Sequence, residues 1–186
     1  GICYGFEALI RNVEAAGFDS IAAFFDQSHT DRTLLDVHRS LCKRAARKFK
    51  TIPGANQFKL FLNLDSRLFS SYDCHPEVAS QLFQDQGLAR GIACFEISER
   101  FEIQQQNQLP EKLQAFRAKG FRIAVDDFGV GFSGLRLLYY AKPDFIKIDR
   151  FFIQDIEHDN NKQMLAASIV KIAHHIGSIV IAEGVE

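Results

Sequence analysis

The stretch from Phe121 to Arg150, FRIAVDDFGVGFSGLRLLYYAKPDFIKIDR, limits the possible folds more than any other. Arg122 to Val125 is apolar and β-branched enough for a buried strand. Gly120 closes the helix before it, and Gly129 and Gly131 break the run just after it. Ser133 can cap a short helix on which Leu135, Leu138 and Tyr139 recur at helical spacing, and Pro143 ends that helix. Asp144 to Asp149, DFIKID, reads as a second strand. Asp126 and Asp127 then stand at the C-terminal tip of one strand and Lys147 near the tip of the next. Two parallel neighbours would present two negative charges and one positive charge on one rim.

Three readings compete for this stretch. Adjacent aspartates in a turn often cap backbone amides and do nothing more. Oxygen ligands on rigid strand ends also suit Mg²⁺ or Mn²⁺, with a lysine nearby to hold a phosphate or a water. Gly129, Gly131 and Gly134 spell GxGxxG, with Asp149 about twenty residues later, as a dinucleotide-binding turn requires. Against that third reading, Asp126 and Asp127 would put two negative charges where a pyrophosphate should sit.

The rest of the chain repeats strand and helix. Ile2 to Ile10 reads as a strand carrying Glu7. Asp19 or Ser20 can cap a helix over Ile21 to Phe25, and Thr30 or Asp31 begins a longer one striped by Leu34, Leu41, Cys42, Ala45 and Phe49. Phe58 to Leu64 is a strand ending near Asn63. Pro76 opens a helix that closes around Gly87. Ile92 to Ser98 is a strand in which Glu96 interrupts apolar residues, so this carboxylate needs a partner or a metal. A polar run at 104–108 reads as loop, and Pro110 starts a helix with Leu113 and Phe116 inward. The last helix places Leu165, Ile169, Ile172, Ala173 and Ile176 on one face, and Ser178 to Ala182 is a strand followed by Glu183. His174 and His175, about 100° apart on that helix, are surface residues and not joint metal ligands. Polar residues thus recur at six successive strand ends: Glu7, Asn63, Glu96, Asp126 with Asp127, Lys147 and Glu183. That pattern argues for a parallel (β/α) barrel of the TIM type, whose C-terminal rim builds one site, over an open doubly wound sheet.

Composition narrows the class. With 186 residues, 47% of them hydrophobic, and a net charge of −1, the chain can bury one sizeable core as a single domain, 1–186. A pI near 6.7 gives no case for a DNA or RNA polymer as partner. The basic cluster Lys43, Arg44, Arg47, Lys48 and Lys50 reads as a solvated helix face. Cys3, Cys42, Cys74 and Cys94 form no CxxC and read as free thiols of a reducing compartment. No stretch reaches the length of a membrane span and no signal peptide stands at Gly1. The expectation is therefore a cytoplasmic domain without membrane insertion of its own, tethered, if at all, through segments outside this sequence.

Taken together the motifs resemble the EAL domain, the cyclic di-GMP phosphodiesterase barrel. The matching pieces are EALIR at Glu7 to Arg11, FLNLD around Asn63, FEISE at Phe95 to Glu99, VDDFGVGFSGL at Val125 to Leu135, KPDFIKID at Lys142 to Asp149, and AEGVE at Ala182 to Glu186. The glycine loop is then that family's DDFGxGxS segment and not a cofactor fingerprint. The resemblance implies that Glu7, Asn63, Glu96 and Asp126 ligate one Mg²⁺ or Mn²⁺ and that Asp126 with Asp127 supports a second. It implies that Glu183 completes the metal and water shell and that Lys147 contacts the hydrolytic water or the scissile phosphate. Leu9 and Arg11 would hold the ligand, and Glu99 would brace the DDFG loop.

The activity implied is hydrolysis of cyclic di-GMP to linear pGpG, with Ca²⁺ bound but not supporting efficient turnover. A homodimer and flanking sensory or GGDEF domains are the partners implied. The family's barrel also has a strand before the EAL segment and a further strand with a glutamine-containing segment after EGVE, so six of eight strands are expected here, with the barrel incomplete at both termini. A receptor that binds the dinucleotide without cleaving it is the alternative, which loss of a metal carboxylate would favour, and a scaffold using only the barrel surface, with no need for six rim ligands, is a third.

Overall fold

The computed structural model describes residues 1–70, 75–89, 91–99, 109–131 and 134–185. The polar run at 104–108, the Ser133 cap, Cys74 and Glu186 lie outside them. Six strands, β1 (Gly5–Ala8), β2 (Lys59–Asn63), β3 (Ala93–Ser98), β4 (Arg122–Phe128), β5 (Phe145–Ile148) and β6 (Ile179–Ala182), form one sheet in the order β1-β2-β3-β4-β5-β6. Every neighbouring pair is parallel. The strand order never reverses, so there is no switch point of the doubly wound kind.

The sheet is curled. β1 and β5 are four strand spacings apart, about 19 Å on a flat sheet at about 4.8 Å per step. Yet Glu7 on β1 lies 3.3 Å from Lys147 on β5. The result is a half-barrel with helices outside it: α1 (Ile21–Thr30), α2 (Leu34–Lys50), α3 (Pro76–Asp85), α4 (Leu109–Ala118), α5 (Gly134–Ala141), α6 (Arg150–Ile153) and α7 (Asn160–His175). Among the described residues, no helix is long and apolar enough to cross a membrane.

Two apolar layers follow from strand alternation. The outward faces of the strands, with Leu60, Leu62, Phe95, Ile97, Ile123, Val125 and Ile146, pack against the helices in the larger core. The inward faces contribute a smaller cluster of Phe61, Cys94, Ala124 and Phe145, with Ile181 against it. Phe61 and Phe145 meet edge to face, their ring centres 5.4 Å apart.

Several boundaries differ from the sequence expectation. The first strand is only Gly5–Ala8, with Ile2 fully exposed. Ser20 does cap α1, its Oγ accepting from the Ala23 N–H at 3.1 Å, but the helix runs to Thr30 because nothing after Phe25 breaks it. Arg32, at φ 60°, makes the break, and α2 starts at Leu34. On α5 the buried side is Gly134, Leu137, Leu138 and Ala141, while Leu135 and Tyr139 point to solvent. On α7, Ala166 and Ala173 are buried and Leu165, Ile172 and Ile176 are exposed, so small residues let that helix approach the sheet. Pro76 at the first turn of α3, and Leu113 and Phe116 in the core, stand as expected.

Candidate metal centre at the strand ends

The inward residue two places beyond each member of the smaller cluster is polar. Phe61 is followed by Asn63, Cys94 by Glu96, Ala124 by Asp126, Phe145 by Lys147 and Ile181 by Glu183. On β1, Gly5 precedes Glu7; a Cβ on Gly5 would lie 2.7 Å from the Lys59 carbonyl oxygen and 3.0 Å from the Phe61 ring. The interior therefore changes from apolar to charged within one side-chain step, and the stagger of a curled sheet brings the charged residues of separate strands together.

Lys147 is the centre of that upper layer. Its Nζ lies 2.8 Å from Glu183 Oε1, 2.9 Å from Glu96 Oε1, 2.9 Å from Asp126 Oδ1 and 3.3 Å from Glu7 Oε2. Four carboxylates thus face one ammonium that is itself 4% exposed. Burial would depress the Lys147 ammonium, but Glu96 and Asp126, joined by the hydrogen bond to Glu183, overcome it and hold the group above its ordinary value. Glu96, 1% exposed, is pushed up to about 8 by burial. Lys147 pulls against that shift, and Asp126 and Glu7 add to it. Burial raises Glu183 as well, against the pull of Lys147.

One lysine does not satisfy this oxygen set. Among the described residues, neither Glu96 oxygen nor Asp126 Oδ1 has a hydrogen bond beyond the ion pairs with Lys147, and Glu96 Oε2 has no ion pair either. Glu7, Glu96 and Asp126 each offer an oxygen within 4.8 Å of the others, and so do Asp126, Asp127 and Glu183. All-oxygen donors with orphaned buried lone pairs fit a hard divalent cation.

A β-bulge explains how neighbours Asp126 and Asp127 serve one side of the sheet. Adjacent strand residues ordinarily face opposite ways. The β4–β5 register shifts between Val125 and Phe128, and Asp127 sits at φ 54°. The two aspartates therefore lie within the last three residues of β4, at the strand tip expected of them and not in a separate turn. Asp127 Oδ2 accepts from Ser98 Oγ at 3.4 Å.

Glu99 follows β3 and is buried. Its Oε2 accepts from the backbone N–H of Gly129 at 2.7 Å and of Gly131 at 3.2 Å, and its own N–H donates to the Asp126 carbonyl at 3.1 Å. Cβ atoms on Gly131 or Gly134 would overlap the Glu99 carboxylate, so these glycines make room for it. Asn63 ends β2 in register with Glu96 and is exposed. Leu9 and Arg11 lie just past β1, both exposed, and Arg11 Nη1 donates to the Ile10 carbonyl at 3.0 Å. No ion pair joins Arg11 to the carboxylates among the described residues.

Two groups near the rim had escaped the sequence reading. Arg67 grips Asp65 through Nε and Nη2 at 2.9 and 2.6 Å and Asp26 through Nη1 at 2.7 Å. His38 lies buried behind β2, one helical turn from Leu34 and from Cys42. Its signal was that spacing: a titratable residue on an otherwise apolar stripe.

The whole chain, residues 1–186, matches the family model described as EAL domain, and the chain belongs to that family. Among curated proteins it is similar to the probable cyclic di-GMP phosphodiesterase PdeG of Escherichia coli (strain K12), 27% identical over 193 residues, covering 98% of this chain and 38% of that protein. Among solved structures it is similar to Klebsiella pneumoniae BlrP1 in its manganese and cyclic di-GMP complex, with TM-score 0.82, 30% identity, and coverage of 98% of this chain and 45% of that one. It is also similar to the EAL enzyme Bd1971 with cAMP and cyclic di-GMP bound, with TM-score 0.83, 29% identity, and coverage of 98% and 51%. The chain thus spans less than two fifths of PdeG and about half of each solved neighbour.

Proposed function

We propose that this chain is a metal-dependent phosphodiesterase that opens cyclic di-GMP to linear pGpG. The observation that carries the reading is the upper layer itself, in which the carboxylates of Glu96, Asp126, Glu183 and the more exposed Glu7 surround Lys147 and, among the described residues, leave Glu96 Oε2 without a hydrogen bond or ion pair. Glu7, Asn63, Glu96 and Asp126 would hold one Mg²⁺ or Mn²⁺, Asp126 with Asp127 a second, and Glu183 would complete the shell. Bound there, such cations would lower the pKa of a bound water and offset the charge of the phosphodiester.

The protein's own groups do the rest. Lys147, kept protonated by its carboxylate neighbours, donates to a phosphate oxygen or to the attacking water. Asp127 and Glu183 orient that water and receive its proton, so that it attacks phosphorus in line with the departing 3′ oxygen, which takes up a proton from solvent as its bond to phosphorus breaks. Glu99, by holding the amides of Gly129 and Gly131, fixes the segment that follows both aspartates. Arg11 and Leu9 stand on the rim where the ligand would enter. A cytoplasmic setting, a homodimer and flanking sensory or GGDEF domains belong to the same proposal, and the greater length of the relatives supports the last of these.

The test is chromatographic detection of pGpG after incubation with cyclic di-GMP and Mn²⁺ or Mg²⁺. Product that is lost in Glu7→Ala is the expected result. Binding of cyclic di-GMP without product under either metal would sink the enzyme reading and leave a receptor.

A further inference from the structure

His38 is a buried titratable group that the proposed chemistry does not use. It sits on the face of α2 that packs against the sheet, where the other buried positions are Leu34, Cys42, Ala46 and Phe49. An imidazole there carries a desolvation cost that leucine would avoid, so its presence needs a reason. The ring leans on Phe95 of β3, with centres 6.3 Å apart, and its Nε2 lies 3.2 Å from the carbonyl oxygen of Asn63. A carbonyl can only accept, so Nε2 carries the hydrogen. Cys42 Sγ lies 3.8 Å from both ring nitrogens. Burial also disfavours the charged ring, which agrees with a neutral Nε2–H tautomer.

The partner of this bond matters more than the bond. Asn63 is the last residue of β2, in register with Glu96 of β3, and its side chain stands on the inward, upper layer. Two residues on, Asp65 is gripped by Arg67, which also ties it to Asp26 of α1. The exit of β2 is therefore held at two points by helices outside the sheet.

We infer that His38 is a positioning residue for the metal site: by donating to the Asn63 carbonyl from behind the sheet, it fixes the end of β2 and so the direction in which the Asn63 side chain is offered to a divalent cation. The inference rests on the reading of Asn63 as a metal ligand. Partners that orient a ligand in this way change metal affinity by about 10- to 100-fold when removed.

The test measures Mn²⁺ binding to the full chain, without nucleotide, from the electron paramagnetic resonance signal of the free ion. His38→Leu, which keeps the bulk and removes the donor, should weaken binding by about tenfold. His38→Gln, whose Nε2 can replace that of histidine, should restore most of it. Asn63→Ala should weaken binding at least as much as His38→Leu. Wild-type affinity in His38→Leu, beside a weakened Asn63→Ala, would overturn the role of His38 and leave the metal site standing. Wild-type affinity in Asn63→Ala would overturn both this inference and the assignment of Asn63. Should His38→Leu not fold, His38→Met takes its place; if neither apolar variant folds while His38→Gln does, His38 is a core residue only and the inference fails.

Discussion

The two inward layers of the sheet stand two residues apart on the same strands and have opposite chemistry. The lower one, Phe61, Cys94, Ala124, Phe145 and Ile181, is an apolar plug. The upper one, Glu7, Glu96, Asp126, Lys147 and Glu183, holds four carboxylates around one ammonium. Packing decides the first, since its members satisfy one another. The second is satisfied only in part among the described residues, and its unpaired oxygens fit the divalent cation proposed for it. The lower layer gives the upper one an apolar floor, whose low local dielectric strengthens the charge interactions above it.

The largest effect on this contrast should come from removing the upper layer's only cation. Lys147→Met leaves the carboxylates facing one another, and the metal-free protein should lose about 3 to 5 kcal/mol, read from the urea midpoint, together with its turnover. Phe145→Ala attacks the lower layer, where Phe145 packs on Tyr4 and Phe61. It should cost about 3 kcal/mol through the cavity it leaves, with Mn²⁺ affinity unchanged in the folded fraction. If Phe145→Ala instead weakened Mn²⁺ binding as strongly as Glu7→Ala does, the two layers would not be separable.

A smaller, pH-dependent effect belongs to Glu96, whose carboxyl burial pushes up to about 8. Folded, metal-free protein holds this proton more tightly than the unfolded chain. Its contribution to stability is therefore full below the ordinary carboxyl range and is lost as pH rises through about 8. Urea midpoints of the metal-free protein should fall from about pH 5 to about pH 8, and Glu96→Gln should flatten that slope. Mn²⁺ must displace the same proton, so its affinity should rise over this range. The smallest change is Gly134→Ala, whose methyl group meets Glu99 and Phe128. It should cost about 1 to 3 kcal/mol in the same unfolding assay.

Much of this was legible in the chain because single residues carried it. Ser20 capped its helix, Pro76 opened one, and Glu96 announced itself as a charge inside a buried strand. What was not legible depended on the third dimension. The sequence ended the fourth strand at Val125, because nothing in VDDFG says that Asp127 will turn to positive φ and let Phe128 rejoin the ladder. Leu135 and Tyr139 looked inward because the stripe of 135, 138 and 139 is as helical as that of 134, 137, 138 and 141; contact with the sheet chose the second. Lys147 was placed at a strand tip, but only the curl of the sheet shows that it meets carboxylates from β1, β3, β4 and the end of β6.

Crystals grown with Mn²⁺ and measured at the manganese absorption edge would show whether the upper layer takes divalent cations. An anomalous peak is expected at coordination distance from oxygens of Glu7, Glu96 and Asp126, with Glu96 Oε2 or its neighbour oxygen engaged. No peak at saturating Mn²⁺, with the four carboxylates still gathered on Lys147, would contradict the proposed metal site.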